Sequence, residues 1–189
     1  MSFDILDVKV NVIDDFFDNP DAVRALALRQ RYYRPKDHPD HLDKGQLVST
    51  HPGKRTEKLN EIVEMQPTYL EVIDGYKNKF GYNDWWYHSV FFQSTRKQDL
   101  PSWVHQDEKD LRVDKRVLIC YLSPNPDENA GTSFYDKTGP DANIIFNIKN
   151  KYNRAFVYDS RYYHQSNDYF GDTLKNGRLF LISFIQKHN

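Results

Sequence analysis

Residues 103–107 read Trp-Val-His-Gln-Asp, and this short stretch is the most informative part of the sequence about fold and site. In an extended strand, residues two apart project from the same face, so His105 and Asp107 are expected to lie side by side. An imidazole and a carboxylate are two of the three ligands in a 2-His-1-carboxylate triad, which holds Fe(II) and leaves coordination positions open. The spacing therefore predicts a strand that supplies two metal ligands.

The third ligand has to come from a distant part of the chain. His164 lies 57 residues after Asp107, shortly after a strand-like apolar run. Arg178 follows 14 residues later and opens the apolar stretch 178–185, Arg-Leu-Phe-Leu-Ile-Ser-Phe-Ile. His88 is a rival third ligand because the alternation of its strand also suits that role.

This ordered set of residues resembles the Fe(II)/2-oxoglutarate-dependent oxygenases, in particular their small prolyl-hydroxylase-like members. Residues 117–124 followed by residues 130–136 are similar to the family's tyrosine-leucine-asparagine-proline, glycine-glycine and phenylalanine-tyrosine core. The sequence departs from that pattern at Ser123, where the family has asparagine, and at Ala130, where it has the first glycine. The resemblance covers roughly residues 85–189.

The resemblance implies a role for each of these site residues. His105, Asp107 and His164 would hold Fe(II), and the family's order favours His164 over His88 as the third ligand. Arg178 would bind the distal carboxylate of the co-substrate, 2-oxoglutarate. An arginine that opens an apolar strand is costly to bury unless a carboxylate meets it, which agrees with that role.

Other residues are assigned less directly. Relatives in the family often use a tyrosine, asparagine or glutamine of the early strands to bind the co-substrate, so Gln93 and Tyr121 are further candidates. Arg178 could instead form a surface ion pair with Asp172, which would contribute little. Cys120 is expected to be a small buried residue and not a reactive thiol.

The pattern of helical and strand-like segments predicts a mostly β fold with N-terminal helices. Asn19-Pro20-Asp21 combines a capping residue, a proline and an acidic first turn, so a helix is expected from there to about Gln30. Helical spacing also predicts helices over residues 56–65 and 67–80. From residue 85 onward, about eight short apolar runs separated by turns indicate a sandwich or jelly roll.

The family resemblance narrows this architecture to a double-stranded β-helix, the cupin-like jelly roll. We expect a single domain in which residues 1–84 supply a strand and supporting helices and residues 85–189 form the catalytic core. Residues 32–55 are predicted to form a long polar loop, which is either a lid or a solvated connection. His38 and His41 in this loop are interpreted as solvated residues and not as metal ligands.

Composition excludes several classes of protein. The chain has 189 residues, a formal net charge of -1 and a pI near 6.6, so it lacks the basic surface that nucleic-acid binding or a nucleic-acid demethylase of the same superfamily would need. No apolar run approaches the ~18 to 20 residues of a membrane span, and the first residues do not resemble a signal peptide. The single cysteine fits a reducing compartment. We therefore expect a cytoplasmic protein with no membrane partner.

The resemblance implies an Fe(II)- and 2-oxoglutarate-dependent dioxygenase that uses O2 to hydroxylate a C–H bond and releases succinate and CO2. Its substrate could be a free amino acid, a peptide side chain or a small natural product. Two alternatives stay open: a cupin-like metal-binding protein, which has no need for Arg178, and a non-catalytic β-sandwich binding module. The sequence leaves the oligomeric state undefined.

Overall fold

The computed structural model of the chain describes residues 8–39, 52–83, 85–94, 102–110, 112 and 114–187. Its helices are α1 (Pro20–Arg29) and α2 (Gln66–Phe80), and short 3-10 helical turns occupy Pro35–Asp37, Leu59–Glu61 and Val63–Met65. Its strands are β1 (Asn11–Ile13), β2 (Lys54–Arg55), β3 (Trp85–Ser94), β4 (Lys115–Tyr121), β5 (Thr132–Tyr135), β6 (Ile144–Ile148), β7 (Ala155–Asp159), β8 (Tyr163–Ser166) and β9 (Arg178–Lys187).

Two helices form where the sequence predicts them. The Asn19 side chain accepts a hydrogen bond from the backbone N–H of Ala22 at 3.1 Å, which caps the first turn of α1. Helix α2 ends at Gly81, whose φ of 74° is a left-handed conformation that favours glycine. Neither described helix has the length and apolar character that a bilayer crossing requires.

The helix predicted over residues 56–65 is wrong. That segment contains two separate 3-10 turns, because Ile62 between them adopts an extended backbone with φ -108° and ψ 111°. Leu59 and Met65, one in each turn, are fully buried. The spacing of apolar residues over 56–65 therefore reflects the burial of both turns in the core and does not indicate a continuous helix.

The strands form two antiparallel sheets. The larger sheet has the order β1-β7-β4-β9-β3-β2, and the smaller has the order β6-β5-β8. A buried cluster that joins Val117 of β4 and Phe156 of β7 to Phe134 of β5 packs between them. This arrangement confirms the prediction of a double-stranded β-helix with N-terminal helices. Seven strands follow residue 84 in the described part of the chain, where the sequence suggested about eight.

Strand β4 contains a continuous apolar run, residues 117–121, in which apolar and polar residues do not alternate. Val117, Ile119 and Tyr121 belong to the cluster between the two sheets. Leu118 and Cys120, which alternate with them, belong to the cluster on the other face of the large sheet. Helices α1 and α2 cover that second face through buried residues that include Val23, Ala27, Val72 and Tyr76. Both faces of β4 are therefore buried, so both sets of positions are apolar.

Gly131, directly before β5, lies too close to β6 to tolerate a side chain. A Cβ atom on Gly131 would lie 1.9 Å from the carbonyl oxygen of Ile148. We expect Gly131→Ala to lower the free energy of unfolding by about 1–3 kcal/mol or more, because backbone has to move. Thermal unfolding measures this loss. Gly81→Ala is the control, since a Cβ there meets nothing within 4 Å and only its positive φ resists the change. Equal melting temperatures for the Gly131 variant and the parent would contradict the packing.

Candidate active site

The structure brings the three predicted metal-ligating side chains together. One ligand atom from each of His105, Asp107 and His164 can be chosen so that all three lie within 4.8 Å of one another. The Nε2 atom of His105 is 3.8 Å from Oδ1 of Asp107, and Nε2 of His164 is 3.3 Å from Oδ2. Within the described ranges, no other group of His, Cys, Asp and Glu converges in this way.

The segment around His105 is held by β8, although it is not the strand that the sequence predicts. His105 and His164 form a single two-way backbone bridge, with N–H to O distances of 3.0 and 2.9 Å. The ladder then stops, because the N–H groups of Asp107 and Glu108 both donate to the carbonyl oxygen of Ser160, at 2.9 and 3.1 Å. This turn keeps the carboxylate beside the imidazoles without a regular strand.

Each imidazole is oriented by a backbone carbonyl two residues earlier in the chain. Nδ1 of His105 lies 2.9 Å from the carbonyl oxygen of Trp103, and Nδ1 of His164 lies 2.9 Å from that of Tyr162. A carbonyl accepts only, so each Nδ1 carries the proton and each Nε2 presents its lone pair to the cluster. Burial lowers the pKa of His164 against the opposing charge of Asp107, which favours the neutral imidazole. Neutral imidazole is the form that binds metals.

A buried tyrosine completes the cluster. The Tyr158 hydroxyl lies 3.2 Å from Nε2 of His164 and 3.5 Å from Oδ2 of Asp107. Burial and the nearby Asp107 carboxylate raise the pKa of Tyr158 well above its usual range, so its hydroxyl keeps its proton. This residue therefore lies beside two of the three candidate ligands and can donate its one hydroxyl proton to either of them.

Arg178, the first residue of β9, is only 1% exposed. Its Nε donates to the carbonyl oxygen of Ala130 at 2.9 Å and its Nη2 to that of Gly131 at 3.3 Å. The guanidinium carbon lies 4.5 Å from the centre of the Phe180 ring. No carboxylate in the described part of the chain forms an ion pair with it. The alternative of a surface ion pair with Asp172 is therefore wrong, because the guanidinium is buried and bonds backbone carbonyls.

Arg178 and the three clustered side chains open into one cavity of about 310 Å³. Its described lining also includes Arg55, Trp103, Ile119, Thr132, Tyr158, Tyr169, Ile182 and Phe184. The wall of the site is therefore mostly apolar, but it also carries a metal-ligating cluster, the buried cation of Arg178 and further polar side chains that include Arg55, Gln106 and Ser166. An apolar wall with a set of placed polar groups is typical of a small-molecule site.

The architecture that holds this site is shared with solved structures. HygX from Streptomyces hygroscopicus, solved with nickel and 2-oxoglutarate bound, matches with a TM-score of 0.64 and 10% identity over 95% of this chain and 83% of its own. A Pseudomonas putida prolyl-4-hydroxylase matches with a TM-score of 0.56 and 14% identity over 98% and 96% of the two chains. An oxidoreductase of the 2OG-Fe(II) oxygenase family from Burkholderia pseudomallei matches with a TM-score of 0.61 and 14% identity over 95% and 85%.

The chain has the fold of the Fe(II)/2-oxoglutarate oxygenases. No family model matches the sequence, and no curated protein matches it. At 10–14% identity the likeness rests on three-dimensional architecture and not on sequence. It extends over 95–98% of this chain.

The other two residues predicted to bind the co-substrate, Gln93 and Tyr121, are not seen to line the cavity in the described part of the chain. Gln93 lies in β3 opposite Leu179 of β9, but its side chain is outside the described residues. Tyr121 is fully buried, and its hydroxyl shares a 2.8 Å hydrogen bond with that of Thr132. Thr132 lines the cavity and Tyr121 stands behind it. A direct role for Gln93 or Tyr121 in binding the co-substrate stays a prediction.

His38 is the one further histidine whose side chain the structure describes. The His88 side chain and the whole of His41 lie outside the described residues. His38 is 1% exposed, and its Nε2 lies 3.0 Å from the carbonyl oxygen of Thr56, so the interpretation of His38 as a solvated residue is wrong. Cys120 is fully buried as predicted, and burial raises the pKa of its thiol.

Several residues that line the cavity were not predicted from the sequence. Tyr158 could have been found, because it is two residues from Phe156 and shares that residue's face of β7. Thr132 could have been found because it lies in the segment 130–136 that resembles the family's core. Tyr169 follows no periodic segment, and nothing in the sequence places it near the metal ligands.

Proposed function

We propose that this chain is an Fe(II)- and 2-oxoglutarate-dependent dioxygenase that hydroxylates a C–H bond of a small molecule or a peptide side chain and releases succinate and CO2. One observation carries the proposal. Arg178 is a buried cation without a carboxylate partner in the described part of the chain, and it opens into the same cavity as the cluster of His105, Asp107 and His164. A metal site alone does not require such a cation, whereas a dianionic co-substrate does.

The clustered side chains fit Fe(II). Two imidazoles whose Nε2 lone pairs face one carboxylate form the donor set of a facial triad, which leaves positions open beside the metal. The carbonyls of Trp103 and Tyr162 fix both tautomers, so no ring has to turn before binding. Bound Fe(II) would supply the activation of oxygen that hydroxylation requires.

The part of the cavity that Arg178 lines fits a carboxylate. Burying an unpaired guanidinium is unfavourable, and a carboxylate that meets it gains a charge-assisted hydrogen bond. Two of the guanidinium nitrogens of Arg178 already donate to the carbonyls of Ala130 and Gly131, which fixes the plane of the fork. Thr132 lines the same cavity, and its hydroxyl forms a hydrogen bond with the Tyr121 hydroxyl. Arg178 would therefore hold the distal carboxylate of 2-oxoglutarate.

The apolar side chains that line the cavity would exclude water and contact the substrate. Ile119, Ile182 and Phe184 line the cavity with apolar surface, which excludes water and strengthens the electrostatic contacts inside it. Trp103, 38% exposed, lines the same cavity and suits contact with an apolar substrate. A cavity of about 310 Å³ lies at the lower end of the ~300–1,000 Å³ typical of ligand sites, which supports a small substrate or a single side chain.

We also propose that the protein acts in the cytoplasm without a nucleic-acid or membrane partner. The net charge of -1 supports the first exclusion, because a phosphate backbone would need a cationic surface. The single cysteine supports a reducing compartment.

Anaerobic titration with Fe(II) and 2-oxoglutarate tests this function. We expect about one Fe(II) per chain and, on addition of 2-oxoglutarate, the visible charge-transfer band of an Fe(II)–2-oxo acid chelate. Admission of O2 with a suitable C–H substrate should then yield succinate in equal amount to the 2-oxoglutarate consumed. A metal-binding protein of the cupin type would take up Fe(II) without the band, and a binding module would show neither signal. Either result would contradict the proposal.

A further inference from the structure

The Tyr158 side chain is held rigidly beside the candidate metal ligands. It is 1% exposed, and its ring packs edge-on against Phe134 at 5.0 Å between ring centres and stacks near Phe156 at 5.9 Å. Its hydroxyl lies 3.2 Å from Nε2 of His164 and 3.5 Å from Oδ2 of Asp107. The ring is therefore fixed, while the hydroxyl proton can still turn about the C–O bond from one acceptor to the other.

Metal binding removes one of these two acceptors. The lone pair on Nε2 of His164 is the one a metal ion takes, because Nδ1 already donates to the carbonyl of Tyr162. A buried hydroxyl without a partner is unfavourable, so the proton should turn to Oδ2 of Asp107. Oδ2 is the remaining acceptor for this hydroxyl among the described residues, and it is already within 3.5 Å.

We propose that Tyr158 is a positioning residue whose hydroxyl donates to Asp107, so that the carboxylate binds the metal through one oxygen and leaves a coordination position open for the co-substrate. This inference rests on the proposed function. A carboxylate that accepts a hydrogen bond on one oxygen coordinates less readily through both. An octahedral metal ion with three single-atom protein ligands keeps about three open positions, and a 2-oxo acid chelate occupies two of them. A bidentate Asp107 would leave about two and compete with the co-substrate.

The test uses Tyr158→Phe in the full chain loaded with Mn(II), whose bound waters increase the relaxation rate of solvent protons. Loss of the hydroxyl should let Asp107 chelate, so the relaxation enhancement per bound Mn(II) should fall by about one third, from three waters to two. Loss of an outer hydrogen-bond partner ordinarily weakens metal binding, but here Asp107 would gain a second metal-bound oxygen in exchange. The dissociation constant for Mn(II) should therefore stay within ~3-fold of the parent value or decrease. The dissociation constant for 2-oxoglutarate should rise by at least ~10-fold, or ~1.4 kcal/mol.

Tyr152→Phe is the matched control, because the Tyr152 hydroxyl donates to Asp21 at 2.6 Å and Tyr152 does not line the cavity. It removes the same type of hydrogen bond elsewhere and should leave hydration and 2-oxoglutarate affinity unchanged. Unchanged hydration in Tyr158→Phe would overturn the inference, as would a rise in hydration, which would make Tyr158 itself a ligand. Parallel loss of Mn(II), 2-oxoglutarate and thermal stability would indicate a structural role only and would also overturn it. If the parent binds Mn(II) but not 2-oxoglutarate, the proposed function fails first; if the parent binds both, the variant decides the role of Tyr158.

Discussion

His164→Ala is expected to abolish metal binding. The parent should bind about one divalent ion per chain, because its three ligand atoms already lie within 4.8 Å of one another. Loss of an outer hydrogen-bond partner of a metal ligand typically lowers affinity ~10- to 100-fold, so loss of a ligand itself should exceed ~100-fold. Anaerobic titration with Fe(II), followed by metal analysis after gel filtration, measures the stoichiometry. His105→Ala and Asp107→Ala should give the same result.

His88→Ala is the matched comparison for this experiment, because His88 is the rival third ligand. It should retain full metal stoichiometry. The His164 variant keeps its backbone bridge to His105, which uses only main-chain atoms, so it should fold; circular dichroism checks this. Full metal occupancy in His164→Ala, with loss in His88→Ala, would move the third ligand to His88 and refute the assignment.

The order of the ligands along the chain could be predicted from the sequence, but the way the fold assembles them could not. Residue type and spacing were sufficient to select His105, Asp107 and His164, since a metal site limits the usable side chains. Helix α1 also lies where the sequence predicts it, because its capping residue, proline and acidic first turn are local signals. Residue type and spacing along the chain therefore identify those ligands and elements that depend on neighbouring residues in the sequence.

What the sequence could not supply depends on partners far away in the chain. Asp107 leaves the expected strand because its N–H bonds the carbonyl of Ser160, a residue 53 positions later. Strand β8 contains His164 and polar neighbours, so it lacks the apolar alternation by which strands are recognised. His38 is buried and its ring Nε2 donates to the carbonyl oxygen of Thr56, a contact between two loop residues that no periodic pattern in the sequence indicates. Such contacts appear only when the chain is folded.

Arg178→Met is expected to separate co-substrate binding from metal binding. Arg178 is in the cavity with the metal ligands but bonds none of them, so the variant should keep the iron stoichiometry of the parent. Removing the cation that meets the distal carboxylate should raise the dissociation constant for 2-oxoglutarate at least ~10-fold, which corresponds to ~1.4 kcal/mol. A fully desolvated charge-assisted hydrogen bond contributes about 1.5–3 kcal/mol, so the effect could reach ~100-fold. Titration of the charge-transfer band of the anaerobic Fe(II) complex measures the dissociation constant for 2-oxoglutarate in the parent and in the variant.

The methionine variant also removes the hydrogen bonds from Arg178 to the carbonyls of Ala130 and Gly131, so its stability should fall. The loss is limited, because each carbonyl keeps another donor, the Asn150 side chain for Ala130 and the Asn167 N–H for Gly131. Arg154→Met controls for that loss, because Arg154 forms an ion pair with Asp14 and does not line the cavity. It should be destabilised yet bind 2-oxoglutarate as the parent does. Arg178→Lys should recover part of the affinity, since lysine keeps the charge but loses the planar fork. If Arg178→Met titrates identically to the parent, the buried cation does not meet the co-substrate, and the cavity has to bind 2-oxoglutarate in another orientation or not at all.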